Sequence, residues 1–79
     1  MTEIIDAFAT DYKLSKRQKE VLELLVTSDQ SAVKSSKELG VSKETFSYHR
    51  SMLYAKTRTG TRVALIHLWQ RYLESRERS

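Results

Sequence analysis

The stretch KELGVSKETFSYHRSMLYAK, Lys37 to Lys56, contains a helix end, a tight turn and a helix start in quick succession. Gly40 directly follows Leu39, where a left-handed helix cap wants a residue without Cβ. Val41 can pack into the bend. Ser42 then stands where a helix N-cap belongs, with Glu44 in the first turn, favourable to the helix dipole. A helix, a short Gly-containing turn and a capped second helix make a helix-turn-helix pattern. There the first helix braces the second. The second projects its N-terminal turns outward, where they can enter a major groove about 12 Å wide. Helix–Gly–helix turns also occur in structural bundles, so the shape alone leaves the job open.

Working outward from that stretch, the apolar spacing predicts five helices. The helix before Gly40 runs from about Ser31 or Ala32 to Leu39, with Ala32, Val33, Ser36 and Leu39 as its inner face. Before it, Ser15 and Gln18 form a capping box, and Val21, Leu22 and Leu25 make an apolar stripe. That helix should stop near Ser28, because TSDQS is polar turn material. The first helix spans Thr2 to about Thr10, with Thr2 a candidate cap and Ile4, Ile5, Phe8 and Tyr12 on one face. The helix capped by Ser42 continues to about Lys56, and TRTGT turns the chain. The last helix, Arg62 to about Ser75, carries Val63, Leu65, Ile66, Leu68, Trp69, Tyr72 and Leu73 over more than one stripe. A helix apolar on more than one face is buried on more than one side. The second side is expected to meet another subunit, with Leu65, Leu68, Trp69 and Tyr72 in the contact. The expected fold is all-α: a four-helix domain over 14–75 with an N-terminal helical extension, 1–13, and a charged tail, 76–79.

Bulk properties narrow the function. A chain of 79 residues makes one domain with a modest core. It has no Cys, so disulfide and thiolate chemistry are excluded, and no Pro to interrupt helices. No apolar run approaches the roughly 18–20 residues that span a bilayer. The start, MTEIIDAFATD, is acidic and lacks a signal peptide's basic beginning, so a cytoplasmic protein is expected. The net charge is +4, and its distribution is uneven. Residues 34–62 carry Lys34, Lys37, Lys43, Arg50, Lys56, Arg58 and Arg62 against only Glu38 and Glu44. Such clustering is the footprint of a polyanion binder, although a solvated surface can also carry it. His49 and His67 lack ligand-like spacing and any Cys or clustered carboxylate partner. There is no phosphate-cradling Gly loop, nucleophile elbow or HExxH motif. Neither an enzyme nor a metal or cofactor protein is expected.

LSKRQKEVLELL, then KELGVSKETFSYHRSMLYAK, then TRVAL together resemble the LuxR/GerE (NarL-like) DNA-binding domain. The matching residues are Leu14, Ser15, Arg17, Glu20, Val21, Leu22, Leu25, Leu39, Gly40, Val41, Ser42, Thr45, His49, Lys56 and Arg62. The resemblance implies a four-helix domain that binds double-stranded DNA, usually as a homodimer joined through its last helix. It also implies a bacterial or phage-encoded regulator at the nucleoid. Family members usually carry a sensor or receiver ahead of this module. Here about 13 residues precede it and begin with Met, so a stand-alone module is expected. Several positions depart from the family's pattern. The turn VTSDQS is one residue longer and lacks Gly, Ser35 stands for a buried Ile, and Phe46 for Val. Ser47 stands for a DNA-touching Lys, Arg50 for an apolar residue, and Thr57-Arg58 for Leu-Gly.

By the same resemblance Ser47, Tyr48 and Ser51 occupy the base-reading positions. Tyr48 can offer its ring to a thymine methyl and its hydroxyl to a base edge or phosphate. Lys34, Lys43, Thr45, Arg50, Lys56, Arg58 and Arg62 are the candidate phosphate contacts. Arg50 sits toward the flank of its helix, equally able to reach a phosphate or to snorkel past the core. His49 is expected beside Phe46 and Leu53. Three readings stand. The first is a sequence-specific transcription regulator. The second is an adaptor or inhibitor of transcription-machinery proteins that uses Phe46, Tyr48, Met52 and Tyr54. The third is a non-specific DNA-coating protein. Neither a membrane nor a small-molecule ligand is expected as a partner.

Overall fold

In a computed structural model of the chain, residues 2–27 and 32–78 are described, with side chains other than those of Thr2, Ala32, Val33, Glu77 and Arg78. They form five helices: α1 (Thr2–Asp11), α2 (Lys16–Thr27), α3 (Ala32–Leu39), α4 (Lys43–Thr57) and α5 (Arg62–Arg78). There is no strand among the described residues. The turn expected over 28–31 lies outside them, as do the side chains of Ala32 and Val33.

The starts of α2, α4 and α5 have one cause. A hydroxyl just ahead of each helix accepts a backbone N–H that has no intrahelical partner. Ser15 Oγ accepts from Gln18 N at 3.2 Å, and Gln18 Oε1 returns the bond to Ser15 N at 2.9 Å. Ser42 Oγ accepts from Thr45 N at 3.1 Å, and Thr61 Oγ1 from Ala64 N at 3.1 Å. Thr2, read as a cap, is instead the first helical residue of α1.

Three helices end the same way. A left-handed residue lets two amides return to the last turn. After α3 it is Gly40, at φ 70°, with Val41 N bonded to Ser36 O. After α1 it is Lys13 and after α4 it is Arg58, both at φ 56°, with Leu14 N bonded to Ala9 O and Thr59 N to Tyr54 O. The sequence advertised only the glycine.

The molecule measures 39 × 21 × 21 Å, so its cross-section is about two helix diameters and every helix can give the core one face. That core joins Ile5 and Phe8 of α1, Val21, Leu22 and Leu25 of α2, Phe46 and Leu53 of α4, and Leu65 and Trp69 of α5. Ile4, Tyr12, Leu39 and Val41 pack against it partly buried. The α3 inner face differs from expectation. Ser35 and Ser36 are both buried, while Leu39 is half-buried. Ser35 fills a site where the resembling family has Ile.

The largest correction concerns α5. Leu65 is 0% and Trp69 4% exposed within the single chain. Both belong to this chain's own core, so they are not a dimer surface in this arrangement. Phe8 of α1 covers Trp69 and Tyr72, its ring centroid 5.4 Å from the first and 5.1 Å from the second, edge-on to each. Leu68 and Tyr72 remain half-buried.

Candidate nucleic-acid interface

α4 packs on both α2 and α3, and those two supports decide which of its sides faces out. Phe46, Leu53 and Thr57 are its buried residues. The opposite side presents Tyr48, 63% exposed, with Ser51 and Met52 also exposed and Ser47 half-buried. His49 lies edge-on to Tyr48, ring centroids 5.6 Å apart, and is half-buried. At the N-terminus Lys43, Glu44 and Thr45 are exposed around the Ser42 cap. Thr45's amide is already used by Ser42 Oγ, and its hydroxyl accepts a 2.9 Å bond from the Ser42 hydroxyl. Any anion contact from Thr45 therefore uses its remaining hydroxyl proton.

The expected phosphate contacts divide into two groups. Lys34, Lys43 and Arg58 are exposed. Lys43 and Arg58 flank α4, whose 15 residues span about 22 Å, enough to bracket a groove about 12 Å wide. Arg50 is half-buried and lies over the ring of Phe46, its guanidinium carbon 5.8 Å from the centroid.

Lys56, exposed, and Arg62, half-buried, both expected at phosphates, already bond to groups of the chain itself. Lys56 Nζ donates to the Lys13 carbonyl and to Gln18 Oε1, both at 2.8 Å. Arg62 Nε donates to the Leu25 carbonyl at 3.2 Å. A helix C-terminus leaves carbonyls without intrahelical donors, and a cation nearby satisfies them. These side chains hold the helices that carry the site. Arg17 does the same elsewhere. Its Nη1 donates to the carbonyl of Leu39 at 3.3 Å, tying α2 to the turn before α4, and pairs with Glu20 at 3.6 Å. Reading the sequence missed this role for Arg17. The one available signal was its place in the first turn of α2, four residues before Val21.

Residues 12–69 match the family described as GerE, bacterial regulatory proteins of the luxR family. The chain belongs to the LuxR family. No curated protein and no solved structure matches it significantly. The LuxR family is a regulatory DNA-binding family with a helix-turn-helix domain, not a family of enzymes. In this LuxR-family chain the matched region covers α2, α3 and α4 entirely and α5 up to Trp69. The α1 helix lies ahead of the match. No helix among the described residues is long and apolar enough to cross a membrane.

The departures from the family's pattern have local explanations. Thr57, in place of Leu, is 5% exposed, yet its hydroxyl donates to Leu53 O at 2.9 Å and bonds with Thr59 Oγ1 at 2.9 Å. A buried hydroxyl with partners is tolerated. Arg58, in place of Gly, adopts the left-handed angle that glycine takes without cost. The longer VTSDQS turn falls largely on residues outside those described.

Proposed function

We propose that this chain is a sequence-specific DNA-binding transcription regulator that inserts the N-terminal half of α4 in the major groove. The observation that carries the reading is the outward face of α4. A Ser42-capped helix start, with Lys43 beside it, leads directly into a 63% exposed Tyr48, on a helix braced by α2 and α3. Ser47, Tyr48 and Ser51 contact bases. Lys34, Lys43, Thr45 and Arg58 contact phosphates, with Arg50 at the flank. Two copies paired through α5 read half-sites about one helical turn apart. The location that fits this work is the bacterial cytoplasm, at the nucleoid.

Selection of bound sequences from a random double-stranded DNA pool tests this reading. Enrichment of a two-fold motif, with affinity that falls steeply as salt rises, is the expected result. Equal recovery of all sequences would favour non-specific coating.

A second reading has one observation in its favour. Tyr48 and Met52, four residues apart, expose apolar side chains side by side, Met52 at 36%. A transcription-machinery protein docked on α4 would use that strip. Tyr48→Ala and Ser47→Ala that abolish a protein complex while leaving DNA affinity unchanged would decide for it.

A further inference from the structure

The helix outside the family match is also the helix that covers the end of the domain. The α1 helix, Thr2–Asp11, precedes the matched residues 12–69. It buries Ile5, Phe8 and Ala9. Phe8 sits among Tyr12, Trp69 and Tyr72, with centroids 4.5, 5.4 and 5.1 Å away. Asp11 Oδ2 accepts a 2.7 Å hydrogen bond from the Tyr72 hydroxyl. An added element thus lies on the α5 face where pairing with a second subunit is expected.

The α1 helix packs on α2 through a face that buries Ile5, Phe8 and Ala9, and its polar attachment is limited. Among the described residues its side chains make two polar contacts to other helices, Asp6 to Lys19 at 2.9 Å and Asp11 to Tyr72. Both are exposed. The connection to α2 runs through Tyr12–Ser15, where Lys13 holds φ 56° and one exposed bond, from Lys56 Nζ to the Lys13 carbonyl, ties it to α4. That angle is unfavourable for an L residue and relaxes when the connection opens. Short connections under strain favour opening and exchange between copies.

We propose that α1 is a detachable cover on α5 that competes with a second copy of this chain for the Trp69–Tyr72 face. The proposal rests on the reading of α5 as the pairing helix. With the cover closed the chain is a monomer. When α1 swings away at Tyr12–Ser15, Trp69 and Tyr72 join Leu68, half-buried on the same helix, as one apolar surface. A second copy fits it because the same helix carries both signs of charge, Arg71 and Glu74, and an antiparallel two-fold contact sets each against its opposite. The cover thereby makes pairing depend on whatever loosens α1. Because both copies must open, a tenfold rise in the open fraction lowers the apparent dimer Kd about a hundredfold.

Sedimentation equilibrium of the full chain and of Phe8→Ala over a concentration series tests this, with circular dichroism for helix content and Trp69 emission for the cover. The intact chain is expected to be mainly monomeric. Phe8→Ala is expected to associate at concentrations at least ~10-fold lower, with red-shifted Trp69 emission as monomer. A folded Phe8→Ala chain with red-shifted emission that never associates overturns both the cover and the reading of α5 as the pairing helix. An intact chain that is already a dimer, and that Leu68→Arg dissociates, overturns the cover alone, because α5 then pairs with α1 in place. If Phe8→Ala loses its helix content, the double variant Asp11→Ala/Lys19→Ala removes only the two exposed attachments. It should associate several-fold more readily, and unchanged association overturns the proposal.

Discussion

The Lys56 ammonium lies 2.8 Å from Gln18 Oε1, across 38 residues of sequence, and so fastens the C-terminal turn of α4 to the start of α2. The same nitrogen caps the Lys13 carbonyl, and the same amide oxygen accepts from Ser15 N. Losing the ammonium leaves both acceptors to water. Lys56→Ala should therefore destabilise the fold by about 1–2 kcal/mol, read by urea unfolding. Its effect on the salt dependence of DNA binding should be negligible. Lys43→Ala should do the reverse, leaving stability unchanged and reducing the log–log salt slope by about 0.9. A reduced slope for Lys56→Ala would show that its ammonium reaches a phosphate after all.

Gln18 is 6% exposed, with its amide oxygen 2.8 Å from the Lys56 ammonium. A carboxylate there faces an ammonium already at hydrogen-bonding distance, and charge-assisted bonds are roughly twice as strong as neutral ones. Gln18→Glu should stabilise the chain by about 1 kcal/mol, with Ser15 N still capped. The double-mutant cycle with Lys56→Met isolates the pair. A gain that persists in the Lys56→Met background would place its origin elsewhere.

Lys13 and Arg58 pay for their left-handed angles, φ 56° in both, while glycine would not. Lys13→Gly and Arg58→Gly should each stabilise by up to about 1 kcal/mol, a rise in Tm of about 4–8 °C for a domain of this size. Arg58→Gly should also weaken DNA binding, because it removes a cation at the end of α4. Thermal unfolding and a salt titration on the same variants separate the two effects. An unchanged or lower Tm in both variants would mean that the caps carry no strain.

These positions also show how far the sequence could be read. Gly40, Ser42 and the Ser15–Gln18 box act locally, within a few residues, so their chemistry is visible in the string of letters. The helix ends at Lys13 and Arg58 are just as local, but nothing in a lysine or arginine announces a left-handed angle. What covers Trp69 within the chain was not legible, for a different reason. An apolar stripe tells that a side is covered and not by what, and here the cover is Phe8, some sixty residues earlier. The bonds of Lys56 and Arg62 within the chain were hidden likewise. A basic side chain near a helix end serves equally for a phosphate or for the carbonyls of its own fold, and only the packing of α2 against α4 and α5 supplies those carbonyls. The outward face of α4 was legible because the buried positions Phe46 and Leu53 are seven apart, fixing by helical periodicity what lies opposite.

Tyr48 is the most exposed aromatic on the proposed reading face, at 63%. An exposed ring on a surface otherwise set by Ser47 and Ser51 gives contact area that serine cannot. Tyr48→Ala should cost about 1–3 kcal/mol of specific DNA binding and relax preference at one base position. Tyr48→Phe should retain the preference if the ring meets a thymine methyl, and lose it if the hydroxyl reads a base edge. Neither variant should alter the salt slope. Equal losses on specific and random DNA would assign Tyr48 to the backbone instead.

Tyr72 supplies a pH-dependent prediction. Burial, and then the hydrogen bond to Asp11, hold its hydroxyl above the usual tyrosine range. A pKa that rises on folding means that the protonated form is the one the fold favours. Its contribution is therefore whole below the unfolded value, about 10, and is lost as pH rises through the folded value. An ionised phenolate facing the Asp11 carboxylate then repels α1 from α5. Thermal unfolding of the intact chain and of Tyr72→Phe, compared from about pH 8 to about pH 11, isolates this group, because the other tyrosines and the lysines cancel in the difference. The intact chain should lead Tyr72→Phe by a constant margin up to about pH 10 and lose that margin above it. Trp69 emission should shift to the red over the same range as α1 loosens. A margin that stays constant to the alkaline end would remove the Asp11–Tyr72 bond from the forces that hold α1 down.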